Sequence, residues 1–192
     1  SWGISCVEKF NGMFAFAIVD KRQNKLFIVR DRLGVKPLFY FVNDKHLLFA
    51  SEIKALLLSE SINREIELES LNTYLTFNYV AAPKTMFKNV KQLLPGEYIL
   101  IDKGQMKKQI YWKIDFTADY SMNQQKCDER FEELISSAVK RRLYCDVPFG
   151  AFLSGGIDSS SIVYFMKKNQ STKLKTISID FAEETFSEIY NS

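Results

Sequence analysis

The sequence predicts an α/β protein whose N-terminal part is α+β, and two observations support this prediction. Four apolar runs rich in strand-forming residues occupy much of the first fifty residues, separated by short polar turns. Near residue 150 the order changes to a strand, a glycine-rich loop, a helix and a second strand. That order opens a parallel α/β sheet, so we expect antiparallel hairpins first and a parallel sheet after them.

The four apolar runs are expected to form two hairpins. The run "MFAFAIVD" (13–20) is followed by the polar turn "KRQN" and by "KLFIVRD" (25–31). The runs "PLFYFV" and "HLLFA" flank "NDK", whose asparagine and aspartate tolerate left-handed backbone. Because the runs are continuously apolar and do not alternate, we expect strands covered on both faces, as in a sandwich of sheets.

Two helices and a third hairpin follow these strands. Ser51 is expected to cap a helix over "EIKALLLS", and a second helix over "LESLNTYLTF" places Leu68, Leu71 and Leu75 on one face. The segments "PGEYILID" and "QMKKQIYWKI" are expected to pair around the turn "KG". These elements complete the predicted first domain.

A change in composition marks a domain boundary. Residues 115–125, "DFTADYSMNQQ", are polar with few aliphatic side chains, and we interpret them as a linker between a first domain (1–114) and a second (126–192). An amphipathic helix follows and runs to about Leu143. Its expected apolar face consists of Phe131, Leu134, Ile135, Ala138 and Val139.

Composition and charge narrow the range of functions. The chain has 192 residues, 46% hydrophobic and 26% charged, which is ordinary for a soluble protein with a core. The net charge of +3 comes from scattered residues, so nucleic acid is not an expected partner. No apolar stretch approaches the ~20 residues of a membrane span. The widely spaced Cys6, Cys127 and Cys145 fit reduced thiols in the cytoplasm and lack metal-ligand spacing.

The segment "FLSGGIDSS" (152–160) is the strongest candidate for a functional site. A strand that ends in Ser-Gly-Gly and turns into a helix brings backbone N–H groups to the positive end of that helix. Phosphate can approach them closely because glycine has no Cβ. Asp158 would repel phosphate unless a divalent cation such as Mg²⁺ bridges the two, so the expected ligand is ATP with Mg²⁺. The other interpretation is a helix start capped by Ser154, with glycines that serve only the turn.

Several motifs together resemble one family. "DVPFGAFLSGGIDSS" and "LKTISIDF" resemble the N-type ATP pyrophosphatase part of the asparagine synthetases. "NGMFAFAIVD", "VRDRLGVKPLFY", "FASEIKAL" and "VKQLLPGEYILI" are similar to the later half of that family's class II glutaminase domain. The resemblance covers essentially the whole chain. It implies the C-terminal half of an N-terminal-nucleophile glutaminase sandwich, followed by the start of a parallel-sheet ATP pyrophosphatase domain.

The resemblance also implies an activity. Members of the family convert aspartate, glutamine and ATP to asparagine, glutamate, AMP and pyrophosphate through an aspartyl-adenylate. Asp158 would hold Mg²⁺, and Asp180 stands where the family usually has glycine, so its side chain would crowd the nucleotide or point to solvent. The residues that would bind ATP are Leu153, Ser154, Gly155, Gly156, Asp158, Ser159 and Ile179.

The family's glutaminase nucleophile is a cysteine at the mature N-terminus, and this chain has none there. It opens "SWGISCVEKF", which resembles an interior helix and its approach, so we do not interpret Ser1 as a nucleophile. Cys6 lacks the free α-amino group that would serve as base and is expected to be a packing thiol. The later synthetase motifs are also absent. We therefore expect a central fragment without a catalytic residue, inactive by itself.

The sequence is also compatible with other functions. A related synthetase could use the same two domains to amidate or cyclise another carboxylic acid. A non-catalytic nucleotide-binding module is a third hypothesis. The expected partners are small molecules (aspartate, glutamine and ATP), without nucleic acid or membrane, and a homodimer of the full-length protein is open.

The charged segment "RDRLGVKPL" (30–38) has two interpretations. Arg30, Arg32 and Lys36 are close enough in sequence to form a charged site. We favour a strand end followed by a turn at Gly34, with Asp31 paired to an arginine. That interpretation assigns the segment no catalytic role.

Overall fold

A computed structural model of the chain describes residues 2–118, 120–171 and 173–179. Asp180, expected beside the nucleotide, and Ser1 lie outside the described residues. The chain divides into two compact units between Phe116 and Thr117. The predicted α/β class is confirmed, since antiparallel sheets and a parallel pair occur together with helices.

Seven strands build the first unit. They are β1 (Ala15–Asp20), β2 (Lys25–Arg30), β3 (Phe39–Val42), β4 (Leu47–Ala50), β5 (Val90–Gln92), β6 (Glu97–Asp102) and β7 (Gln105–Ile110). They form two antiparallel sheets in the orders β1-β2-β6-β7 and β4-β3-β5. All three predicted hairpins are therefore confirmed. The β6–β7 turn is tight because Lys103 and Gly104 both adopt positive φ, 51° and 78°.

The central strand β2 is covered on both faces, as its continuous apolar run predicts. Ile28 packs on one face with Tyr40 and Ile99, while Phe27 packs on the other with Val7. The same expectation is wrong for β1, whose Ile18 and Val19 are 51% and 65% exposed. Because β1 is an edge strand of the described sheet, fewer neighbours cover it.

Among the described residues of this unit, three α-helices and a 3₁₀ turn (Gly3–Ser5) accompany these sheets. The α-helices are α1 (Cys6–Lys9), α2 (Ile53–Leu56) and α3 (Leu68–Phe77). The bounds of α3 agree with the sequence, but Leu68 and Leu75 are 72% and 73% exposed, so this apolar face is not buried among the described residues. The expected cap at Ser51 is wrong. The N-cap residue of α2 is Glu52, without a side-chain cap bond, and its carboxylate pairs with Lys54 at 2.7 Å.

The second unit contains α4 (Gln124–Arg142), β8 (Gly150–Phe152), α5 (Ile157–Asn169) and β9 (Lys175–Ile177). The strands β8 and β9 are parallel, as predicted, with Phe152 opposite Ile177. The helices α4 and α5 pack through Val139, Phe165 and Met166.

Part of the predicted apolar face of α4 is wrong. Phe131 and Leu134 are 65% and 50% exposed, because the buried cluster lies further along the helix, around Val139. The helix also begins within the expected linker, at Gln124, where the Asn123 side chain accepts a hydrogen bond from the Lys126 amide at 2.9 Å. Within the described ranges, no helix combines the length and the apolar character that crossing a bilayer requires.

Candidate functional site

The glycine-rich loop, residues 153–156, joins the carboxyl end of β8 to the start of α5. Its first residue stays attached to the neighbouring strand: the Leu153 amide donates to the Ile177 carbonyl at 3.0 Å. The Ser178 hydroxyl donates to the Leu153 carbonyl at 2.6 Å. These two hydrogen bonds fix the position of Leu153, where the loop leaves the strand pair.

The turn into α5 requires a glycine conformation at one position, Gly155. Gly155 adopts a φ of 82°, which lies in the left-handed region that favours glycine. Gly156 is the N-cap residue of α5 and provides no side-chain cap. Ser154 makes no cap hydrogen bond to α5, so that part of the structural interpretation is wrong, while the turn at Gly155 fits both interpretations of the loop.

Three backbone N–H groups at the start of α5 are unpaired among the described residues. The first backbone hydrogen bond of α5 runs from the Ser160 amide to the Gly156 carbonyl, at 3.0 Å. The amides of Ile157, Asp158 and Ser159 precede it, and none of them has an acceptor among the described residues. Such unpaired amides at the positive end of a helix are suited to an anion.

Ser154 of the loop and Ser159 of α5 bond to each other. The Ser159 Oγ accepts from the Ser154 amide at 3.3 Å and donates to the Gly156 carbonyl at 3.0 Å. The Ser154 and Ser159 Oγ atoms are 3.2 Å apart. A hydroxyl has one proton, and that of Ser159 points to the Gly156 carbonyl, so Ser154 is the donor of this pair. Both hydroxyls are therefore used within the loop, and each must rotate before it donates to a ligand.

Asp158 is exposed in the first turn of α5. Its carboxylate has no hydrogen bond or ion pair with the part of the chain that the structure describes. The described residues contain no group of three or more His, Cys, Asp or Glu side chains arranged for a metal. A cation at Asp158 would therefore take its other ligands from phosphate oxygens and water, which suits Mg²⁺.

Leu153 and Ile179 belong to the same edge of the parallel pair. Leu153 directly follows β8 and is half-buried, and Ile179 lies two residues beyond β9 and is 68% exposed. In parallel α/β sheets, ligands bind outside the carboxyl ends of the strands. Five of the seven residues expected to bind ATP therefore occur just after the carboxyl ends of β8 and β9, and the other two, Asp158 and Ser159, lie in the first turn of α5.

The segment "RDRLGVKPL" is a structural element. Arg30 is 6% exposed, and its guanidinium donates to the carbonyls of Lys36 at 2.8 Å, Leu93 at 2.6 Å and Gly34 at 2.6 Å. Burial lowers the pKa of Arg30, and the nearby charge of Asp31 partly opposes this. The arginine therefore closes the turn and is not available to a ligand.

Asp31 organises the same turn through backbone amides, so the expected pairing with an arginine is wrong. The carboxylate accepts from the amides of Phe14 and Leu33 at 3.2 Å each, and of Val35 and Lys36 at 2.9 Å each. Burial raises the pKa of Asp31, but the four donors outweigh it, and the net pKa lies below its ordinary value. The side chain is 1% exposed, so it stabilises the fold and has no access to substrate.

The first unit also contains an open cavity of about 940 Å³ beside β1 and β2. Trp2, Cys6, Ile18, Phe27 and Leu100 are among its lining residues. Cys6 packs against the cluster that contains Phe27, as expected of a packing thiol.

One residue near the loop was missed by the sequence reasoning. Ser178 contacts Leu153 although 25 residues separate them. In the sequence, Ser178 ends "KTIS", which has the pattern of an ordinary strand. Its contact with Leu153 becomes visible only when β8 and β9 pair.

Comparison with known proteins gives two family matches. The glutamine amidotransferase domain matches residues 1–112, and asparagine synthase matches residues 130–192. Asparagine synthetases [glutamine-hydrolyzing] 3 and 1 of Bacillus subtilis are 35% and 36% identical over 187 and 182 residues. These alignments cover 95% and 94% of this chain but only 30% and 28% of the two relatives.

A third relative has a different name. Amidase chry2 of Gibberella zeae is 33% identical over 179 residues, which is 90% of this chain and 26% of that protein. The chain thus spans less than a third of the length of each of these three relatives.

Proposed function

This chain belongs to the glutamine amidotransferase domain family, and from that premise we propose that it works as part of an ATP-dependent asparagine synthetase. The complete protein would convert aspartate, glutamine and ATP to asparagine, glutamate, AMP and pyrophosphate through an aspartyl-adenylate. The match of residues 130–192 to asparagine synthase supports the synthetase half of the proposal.

The observation behind the proposal is the cluster of unpaired amides at the start of α5, next to the exposed Asp158. We assign the pyrophosphate of ATP to this cluster and Mg²⁺ to Asp158. The ATP-binding residues in this assignment are Leu153, Ser154, Gly155, Gly156, Asp158, Ser159 and Ile179. Leu153 and Ile179 would contact the nucleotide itself.

The chemistry of adenylation explains why such a cluster is needed. When the aspartate β-carboxylate attacks the α-phosphorus, negative charge grows on the departing pyrophosphate. The unpaired N–H dipoles of Ile157 and Asp158 are fixed by α5 and would stabilise that charge without reorganisation, which would lower the barrier. Bound Mg²⁺ would neutralise part of the same charge. The chain's own contribution is to bind and orient the triphosphate.

The domain assignment is part of the proposal. Residues 1–114 would form the C-terminal part of the glutaminase domain, 115–125 a linker, and 126–192 the N-terminal part of the synthetase domain. We expect no glutamine hydrolysis by this chain alone, because Cys6 is peptide-bonded and has no adjacent α-amine to activate it. A cytoplasmic location fits the three free thiols, and a homodimer of the complete protein can be tested by sedimentation.

Calorimetry of this chain with Mg-ATP tests the nucleotide site. We expect saturable binding that weakens at least tenfold in Asp158→Ala, because the variant loses the anionic metal ligand. Asp128→Ala is the matched control, an exposed acid in the first turns of α4. Equal binding by the wild type and Asp158→Ala would refute the metal assignment. No binding by the wild type would refute the ATP site.

A second candidate is a related enzyme that amidates or cyclises another carboxylic acid, since a relative with a different name, amidase chry2, matches the same stretch of chain. Growth of an asparagine auxotroph that carries the full-length gene distinguishes the two. Rescue supports the synthetase, and failure of a well-expressed protein to rescue supports the second candidate. A non-catalytic nucleotide-binding module predicts Mg-ATP binding without AMP formation by the complete protein.

A further inference from the structure

We propose that Ser178 is a positioning residue for the nucleotide loop, an inference that rests on the proposed function of that loop. Its hydroxyl lies 2.6 Å from the Leu153 carbonyl oxygen. A carbonyl only accepts, so Ser178 is the donor of this bond. The residue does not reach the ligand amides; it acts on them through Leu153.

The bond replaces a missing rung of the parallel ladder. The Leu153 amide donates to the Ile177 carbonyl at 3.0 Å, so a regular ladder would continue with the Ile179 amide donating to the Leu153 carbonyl. The paired register instead ends at Phe152 and Ile177. The Ser178 hydroxyl satisfies the carbonyl that the ladder leaves open.

The consequence for the loop comes from the planarity of the peptide group. The Leu153 carbonyl and the Ser154 amide belong to one rigid plane. Ser178 holds the carbonyl side of this plane, and the Ser159 hydroxyl accepts from its N–H side at 3.3 Å. Two hydroxyls, one after β9 and one in α5, therefore set the angle at which the chain enters the turn at Gly155.

This arrangement separates ligand binding from overall stability. Ser178 is exposed, so loss of its hydroxyl leaves no buried polar atom on the serine itself and changes folding little. Rotation of the Leu153–Ser154 plane would change the direction of the amides that follow it in the chain. Nucleotide affinity should therefore depend on this hydroxyl more strongly than the unfolding temperature does.

The test compares Ser178→Ala, Ser178→Thr and the wild type in two measurements on this chain. Calorimetry with Mg-ATP should give a dissociation constant about three- to tenfold higher for Ser178→Ala, and within about twofold of wild type for Ser178→Thr, which keeps the hydroxyl. Amide hydrogen exchange without nucleotide should be faster over residues 150–156 in Ser178→Ala only. Ser171→Ala is the matched control, because its exposed hydroxyl has no partner among the described residues.

The two measurements distinguish failure of the inference from failure of the proposed function. Unchanged exchange in Ser178→Ala would overturn the positioning role, whether or not nucleotide binds. Unchanged affinity for Mg-ATP in Ser178→Ala would overturn it as well. Absence of binding by the wild type, together with faster exchange in Ser178→Ala, would refute the ATP site and leave the bracing of the loop supported.

Discussion

Replacing Asp31 with asparagine should destabilise the first unit strongly, because it removes half of the acceptors that hold the turn after β2. Each carboxylate oxygen of Asp31 accepts two backbone amides, and the side chain is 1% exposed. Asparagine has one carbonyl oxygen and an NH₂ group, so two of the four amides would face a donor.

The magnitude follows from those two orphaned amides. A buried N–H that loses its acceptor costs roughly 1–3 kcal/mol, so Asp31→Asn should lower the unfolding free energy by about 2–6 kcal/mol. Urea titration followed by tryptophan fluorescence measures this change. The chain's two tryptophans, Trp2 and Trp112, both belong to the first unit, so the signal reports that unit.

Asp20→Asn is the matched control. Asp20 accepts from the amides of Arg22 and Gln23 through one oxygen, Oδ1, in an exposed turn. Asparagine keeps that oxygen, so the loss should stay under about 1 kcal/mol. A loss under about 1 kcal/mol for Asp31→Asn as well would refute the conclusion that the four-amide arrangement holds the turn.

The same carboxylate predicts a pH dependence. The pKa of Asp31 is lower in the folded state, so its stabilisation is complete above the unfolded value of about 3.9 and is lost as the pH falls through the folded pKa. The wild type should therefore lose more stability than Asp31→Asn between pH 5 and the acid range, by urea titration at each pH. Parallel curves for the two proteins would contradict this.

Three further predictions concern the first unit and are measured by the same urea titration. Gly96→Ala should cost more than about 2 kcal/mol, because φ is 64° and a Cβ would clash with the Trp112 carbonyl oxygen; a near-neutral result would refute this contact. Tyr111→Phe should cost about 1 kcal/mol through loss of the 2.9 Å bond to the Arg30 carbonyl. Burial raises the pKa of Tyr111 to about 12, so its stabilisation should be lost as the pH rises from about 10 through 12, and the variant should lack that loss. Leu75→Ser should change stability by under about 0.5 kcal/mol, because Leu75 is 73% exposed, and a larger loss would mean that this face is covered.

Local sequence patterns predicted most of the fold. The three hairpins and the helix Leu68–Phe77 follow from apolar runs and turn residues that are neighbours in the chain. The parallel β8–β9 pair follows instead from the strand–helix–strand order. The glycine loop also falls where its residues predict, between a strand and a helix. Such features depend on interactions over a few residues, so a single sequence contains the information for them.

Burial was harder to predict, because an apolar side chain is covered only where another element meets it. Phe131 and Leu134 have the helical spacing of a core face, yet both are largely exposed. Val19 lies in a continuous apolar run like that of β2, but its strand is at the edge of the described sheet.

The sequence by itself determined the order of elements, the glycine turn and the residue types offered to an anion. Only the tertiary structure decided how each polar group is used: Asp31 binds the amide of Phe14 across 17 positions, and Ser178 holds Leu153 across 25. Periodicity does not encode such contacts. A hydrogen bond requires two atoms to lie within about 3 Å, and the packing of strands and helices sets that distance.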